Sequence, residues 1–278
     1  MKSKRWLLWV VLVVSSGWAY VAVAVETDPS EAQLRGLIQA LLVPSPYRLS
    51  PTARHGTIRY RLSEREGAVD WSWPQTGEQY ATRTSGGLEL TVCRNCGQEA
   101  APDAETLRRY LAPTPWLQSN DRAIAGFARV AGGGSVDARM RRLVTAVQTH
   151  LSGPVVYRGY HSAREAFVRR EGDCTEYALL LAAAARARGI PARLVAGLAY
   201  GSRFFGRAHA FGPHMWVQVW NGERWVSYDA GLGEFDAGHL ALTVGDGSPD
   251  SLRAVMRTIA GLRIEDAVGV LDEDRASN

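Results

Sequence analysis

An α+β fold, with helices and antiparallel strands in separate runs, is what this 278-residue sequence predicts. Three stretches predict it. In residues 55–93, "GTIRYRLS", "EQYATRT" and "LELTVC" alternate in character between glycine-bearing turns, as a small antiparallel β region does. In "SVDARMRRLVTAVQTHL", the apolar residues Val136, Met140, Leu143, Val144, Val147 and Leu151 recur at helical spacing. In "HMWVQVWNGERWVSYDAG", two alternating runs flank Asn221-Gly222, the strongest short hairpin signal.

The N-terminus opens with "MKSKR" and continues with "WLLWVVLVVSSGWAYVAVAV", residues 6–25, which carry no charge. Spanning a bilayer takes roughly 20 apolar residues, and Ala22-Val23-Ala24 supplies an A-x-A cleavage site. Residues 1–24 are therefore read as a signal peptide or an N-terminal membrane anchor, with the Ser15-Ser16-Gly17 interruption favouring cleavage. Either way the basic cluster stays on the cytosolic side and the remainder is exported. The expectation is a periplasmic protein, with possible inner-membrane association through residues 6–25, or a secreted one. Lys2, Lys4 and Arg5 account for three of the 32 basic residues, and the 28 acidic residues nearly balance the rest. No basic stripe follows, so the sequence pI of about 9.1 does not point to nucleic acid.

Residues 25–118 are read as an N-terminal helix plus the β region. "SEAQLRGLIQALLV" is a short amphipathic helix ahead of "PSP". In "TVCRNCG", Cys93 and Cys96 can close a small disulfide across a turn in an oxidising compartment. A redox pair is the sharper alternative, but it needs a helix starting at the motif, and "GQEAAPD" reads as a loop. Cys174 is then the unpaired cysteine of an exported chain, which usually has a use for it. "PDAETLRRYLAP" is a capped helix that stops at Pro113.

A second unit, residues 119–246, follows. Ser162 and Glu165 form a capping box for "AREAFVRRE". In "EGDCTEYALLLAAAARARGIPAR", Asp173 and Glu176 give a second start signal, with Cys174 as the first helical residue. Gly189 is the expected C′ residue and Pro191 prevents continuation. Leu179 to Ala185 is apolar all round, which makes the helix central and buried. Its N-terminus carries roughly half a positive charge, a setting that favours the thiolate of Cys174.

A base is found in the hairpin. With Asn221-Gly222 as a two-residue turn, Trp220 faces Glu223, Trp216 faces Ser227 and His214 faces Asp229. Directly opposed residues share a face, so the turn brings an imidazole and a carboxylate together. Met215, Val217, Val219, Val226 and Tyr228 form the other, core face. A His held by an Asp is the partner a thiol nucleophile needs. A metal site drawn from His209, His214, Asp229 and His239 lacks helical spacing and is not expected; no cofactor is expected either. Residues 247–278, with "SPDSLRAVMRTIAGLRIEDAVGVL", read as a C-terminal helix followed by a strand that extends the core.

"REGDCTEYALLLAAAARARGIPARLVAGLAY", then "HMWVQVW", "RW" and "YDAG", resembles the transglutaminase-like superfamily over roughly residues 120–246. The resemblance implies a papain-like core, a cysteine helix packed on an antiparallel sheet, here preceded by the small mainly-β region. It places the nucleophile on Cys174, the base on His214 and the orienting acid on Asp229. Two departures stand out: Asp229 is followed by Ala230-Gly231 where the family often has Pro-Thr, and His214-Met215-Trp216 replaces the more usual His-Ala-Trp. The activity implied is attack of Cys174 on a peptide or protein amide through a thioester. Water as second nucleophile would make a cysteine peptidase or amidase, and an amine a transglutaminase. The backbone N–H of Cys174 is the natural oxyanion donor, with Tyr157 or Tyr160 as a second. A rival of another class is a non-catalytic binding module using Trp216, Trp220 and Trp225 as a platform.

Overall fold

A computed structural model describes residues 30–64, 72–85, 87–157 and 160–270. The segment expected to be a leader or anchor, and most of "AVDWSWP", lie outside the described residues. No helix among the described residues is long and apolar enough to cross a membrane.

The elements are α1 (Glu31–Ala40), β1 (Val43–Pro44), α2 (Pro51–His55), β2 (Thr57–Glu64), β3 (Gln79–Thr84), β4 (Gly87–Val92) and α3 (Ala104–Arg109). Next come α4 (Arg122–Phe127), a 3-10 turn (Ala128–Ala131), α5 (Val136–His150), α6 (Ala163–Arg169) and α7 (Cys174–Ala187). The chain then forms β5 (Ala192–Phe204), β6 (Arg207–Trp220), β7 (Trp225–Tyr228), β8 (His239–Gly245), α8 (Pro249–Ile259) and β9 (Leu262–Val270). The fold is α+β with two antiparallel sheets. One runs β1-β6-β5-β8, with β7 also paired to β6, and the other runs β3-β4-β2-β9.

The central helix forms where the capping signal places it. Asp173 is the N-cap and shares a reciprocal capping box with Glu176, and such a cap contributes about 1 kcal/mol. Gly189, just past the end, has a φ of 72°. Leu179 through Ala185 are fully buried because α7 packs on β5 and β6 on one side and against α5 and α6 on the other. The alanines let those elements approach closely, so the helix carrying Cys174 is held from all sides.

The segment read as a C-terminal extension of the core does more than extend it. α8 packs on β5 and β8, but β9 pairs with β2 and completes the N-terminal sheet. From the other end, β1 pairs with β6. The two sheets are also tied by side chains. The Gln79 carboxamide accepts from the N–H and donates to the carbonyl of Ala241 in β8, at 2.8 and 3.0 Å, and Arg193 of β5 makes a two-pronged salt bridge with Glu99. The expected Cys93–Cys96 disulfide is present. Its turn grips the preceding loop, with the N–H groups of Cys93 and Gly97 donating to the carbonyls of Glu78 and Gly77.

The hairpin register differs from the expected one by two residues: Trp220 faces Trp225 and Gln218 faces Ser227. The Asn221 side chain is the cause. Its Oδ1 accepts from the N–H groups of Glu223 and Arg224, so Asn221 precedes the turn rather than occupying it. Gly222, with a φ of 106°, takes the first central position, the place a II′ turn reserves for glycine. Both faces of this hairpin are buried. Trp216 is 1% exposed and Trp225 2%, and Arg193 stacks on the Trp225 ring. Of the three tryptophans of the expected aromatic platform, two are thus buried and Trp220 is half-buried.

Candidate active site

Cys174 opens α7 and is partly exposed. The backbone N–H of Met215, next to His214, is close enough to favour its thiolate, which sets the thiol near His214. His214 is buried, and its Nε2 lies 2.7 Å from Asp229 Oδ2. The two-residue shift of the hairpin leaves this pair intact, because a slip of two keeps every side chain on its face. Asp229 now follows the last paired residue, Tyr228, which faces Val217, and the contact is made diagonally. With Nε2 given to Asp229, Nδ1 is the His214 nitrogen left to exchange a proton with the thiol.

Gly231 closes the group. A β-carbon at this position would lie 3.3 Å from His214 Cε1, 3.3 Å from Asp229 Oδ1 and 3.6 Å from Cys174 Cα. One point on the loop after β7 thus touches all three residues singled out by the sequence. Asp229 Oδ1 holds this loop by accepting from the N–H groups of Gly231 and Leu232, at 2.7 and 3.2 Å.

The electrostatics differ from the expectation of a thiolate stabilised by the helix N-terminus. Burial pushes the Cys174 thiol well up, the carboxylates of Asp173, Asp229 and Glu176 add to this, and the Met215 N–H opposes them. The capping box that starts the helix is itself the reason, since it sets two acidic side chains next to the thiol. Asp229 behaves in the opposite way. Burial alone would raise it, but the two imidazoles of His214 and His239 hold it well below the usual carboxylate range.

His239 was not foreseen as a partner of this carboxylate. It begins β8, is 2% exposed, and places Nε2 3.0 Å from the same Asp229 Oδ2 that His214 uses. Its other nitrogen faces Asp236, which is paired with Arg54. Of the four residues weighed as metal ligands, His214, Asp229 and His239 bring their ligand atoms within 4.8 Å of one another. Those atoms are already hydrogen-bonded to each other. His209 lies apart, bonded to the Tyr200 hydroxyl at 2.8 Å.

Behind His214 stands a second buried carboxyl. The Trp216 ring stacks near His214 at 6.1 Å, and its indole N–H donates to Ser227 Oγ at 3.2 Å. Glu78, from the loop before β3, accepts from the Ser227 hydroxyl and N–H and from the Gln218 amide. Burial raises its pKa despite these bonds. Of the tyrosines considered as oxyanion donors, Tyr160 commits its hydroxyl to the Gly247 carbonyl at 2.7 Å, and Tyr157 packs against Phe205.

Residues 128–230 match the profile of the transglutaminase-like superfamily, spanning α5 through the end of the hairpin. Over this segment, which holds Cys174, His214 and Asp229, the chain is similar to that superfamily. A 68-residue stretch is 41% identical to a protein-glutamine gamma-glutamyltransferase of Pseudomonas aeruginosa, covering 23% of this chain and 10% of that protein. The chain thus spans about a tenth of the length of this curated relative. Among solved structures, the periplasmic domain of TgpA from Pseudomonas aeruginosa is 18% identical, with a TM-score of 0.44, over 75% of this chain and 94% of that one. The same domain bound to ethylmercury is 20% identical, with a TM-score of 0.42, over 73% and 96%.

Proposed function

We propose that this protein carries out thiol-dependent acyl transfer on peptide or protein amides, with Cys174 as nucleophile, His214 as base and acid, and Asp229 as the orienting acid. The observation that carries the reading is the buried 2.7 Å contact of His214 Nε2 with Asp229, made beside the helix that presents Cys174. Because the thiol is pushed up, its activation rests on His214. Nδ1 takes the proton as sulfur attacks the amide carbon. Carbonyl π electrons move to oxygen, which is stabilised by the Cys174 N–H at the helix start, where backbone donors lack intrahelical partners. Collapse to the thioester expels the amine, which takes the proton from His214. A second nucleophile, deprotonated by His214, then releases the acyl group and restores the thiol.

Water is the second nucleophile in this reading, making the protein a cysteine peptidase or amidase. Cys174 is closely packed yet not sealed off, its residue surface being partly exposed, whereas transfer to an amine requires water to be kept out. The transglutaminase reading has its own support in the gamma-glutamyltransferase relative. It would take a glutamine side-chain amide as acyl donor. The disulfide and the uncharged run of residues 6–25 behind a basic cluster support an exported location, and residues 119–246 are taken as the catalytic core.

The test is incubation with glutamine-bearing peptides and a casein substrate, with and without a fluorescent primary amine, reading ammonia release, new amino termini and label incorporation. Hydrolysis predicts ammonia or new termini without incorporation, and transamidation predicts incorporation at the expense of hydrolysis. Both must vanish in Cys174→Ser and survive a chelator. Activity retained in Cys174→Ser would end the proposal.

A further inference from the structure

We propose that His239 is a positioning residue of this thiol site, acting through Asp229, and that its imidazolium sets the pH range in which Cys174 and His214 work together. The inference rests on the acyl-transfer reading above.

Hydrogen-bond chemistry determines the form of the ring. Asp229 Oδ2 can only accept, so the His239 Nε2 that lies 3.0 Å from it carries a proton. Nδ1 lies 3.1 Å from the Asp236 carbonyl and 3.3 Å from its carboxylate, two further acceptors. The Asp236 N–H is also 3.3 Å away, but a ring buried between two carboxylates gains far more by holding both protons. Burial works against the charge, and the bonds to Asp229 and Asp236 outweigh it, lifting the ring to about 9.

The surroundings leave His239 as the counter-charge of the pocket. Facing it are Asp229 from the loop after β7, His214 of β6, and Asp236 from the loop before β8. Arg54 of α2 holds the far side of Asp236. Tyr200 of β5 lies under Arg54, and Tyr60 of β2 donates to the Ala237 carbonyl. Trp216 and Phe235 pack against the ring and bring no charge. Charges therefore alternate from Asp229 through His239 and Asp236 to Arg54.

His214 and His239 share one oxygen of Asp229, so His239 offsets part of the negative field that His214 and Cys174 feel. Without it, the Asp229 carboxylate would push the thiol higher still. Nearby unit charges move such groups by about 1 to 3 pH units. A purely structural His239 would have no such effect, and its loss would lower rates at every pH alike.

The experiment compares iodoacetamide alkylation of Cys174 across pH 5–10 in wild type, His239→Gln and His214→Ala, with the Cys93–Cys96 disulfide intact. Glutamine keeps an N–H for Asp229 and drops the charge. The expected result is a His239→Gln profile moved to higher pH by about one unit, with its plateau within a few-fold of wild type. A profile lowered without displacement, or one unchanged, overturns the inference. Should wild type and His214→Ala coincide, it is the acyl-transfer reading that fails. Should the variant not fold, nitrogen-15 shifts of His239 in the wild-type protein at pH 7.5 decide: two protonated ring nitrogens support the inference, and a bare Nδ1 overturns it.

Discussion

Asp229 accepts four hydrogen bonds: imidazole donors at 2.7 and 3.0 Å on Oδ2, and backbone N–H groups at 2.7 and 3.2 Å on Oδ1. An amide in its place would keep one accepting oxygen and turn two protons towards donors. Asp229→Asn is therefore expected to lower the turnover of a peptide amide by about 10³- to 10⁴-fold, while circular dichroism stays native. Gly231→Ala is a milder case. Its methyl would press on His214 Cε1 and Asp229 Oδ1 at 3.3 Å and force shifts of a few tenths of an ångström. A loss of about tenfold in alkylation rate at pH 7.5 is expected. The grouping of Cys174, His214 and Asp229 was legible because each stands near a local signal: a helix cap, the alternating run before the turn, and the residue just past the run that follows it. His239 and Gly231 were not, because the loop 229–238 has no periodicity, and only the folded chain shows that it returns to Asp229.

The capped helices and the hairpin were readable from their own residues, and the hairpin shows where such reading ends. Asn221-Gly222 announced a turn, but Asn221 used its side chain to cap the loop instead of entering it. The pairing moved by two, and His214 still met Asp229 because parity was conserved. Long-range partners leave no such mark. Nothing around Glu78 signals that it reaches β6 and β7 to bind Ser227 and Gln218. Glu78→Ala would leave those donors buried and unpaired, and a loss of about 2–4 kcal/mol in urea unfolding is expected. Trp216 would lose its support through Ser227, so alkylation of Cys174 should slow as well. Loss of stability with an unaltered alkylation rate would show that the loop bearing Glu78 braces the fold without bracing His214.

Across the described residues, the first and last strands are woven into the two sheets, β1 into one and β9 into the other. β9 completes the sheet begun by β2, which no local pattern could announce, since strand partners are set by burial and not by neighbouring residues. A pH signature follows from the buried charges. His239 is held protonated to about 9, against about 6.5 in an unfolded chain. Its contribution is thus fully present below pH 6.5 and lost as pH rises through 9, up to about 3 kcal/mol in all. Asp229 has the opposite sign: depressed in the fold, it contributes above the unfolded carboxylate value of about 3.9 and loses this only in stronger acid. The Tm of wild type should therefore fall between pH 6.5 and 9, and His239→Gln should flatten much of that decline. Parallel curves would contradict the charge assigned to His239.

The most direct test of the thiol–imidazole pair is the rate of Cys174 alkylation at pH 7.5 in wild type and His214→Ala, extended to a full pH profile. The prediction is a wild-type rate more than tenfold higher. The variant should titrate above the ordinary thiol value of about 8.5, because burial and the nearby carboxylates then act without the base. Superimposable profiles would mean that His214 does not act on Cys174, and the acyl-transfer mechanism would fall with them.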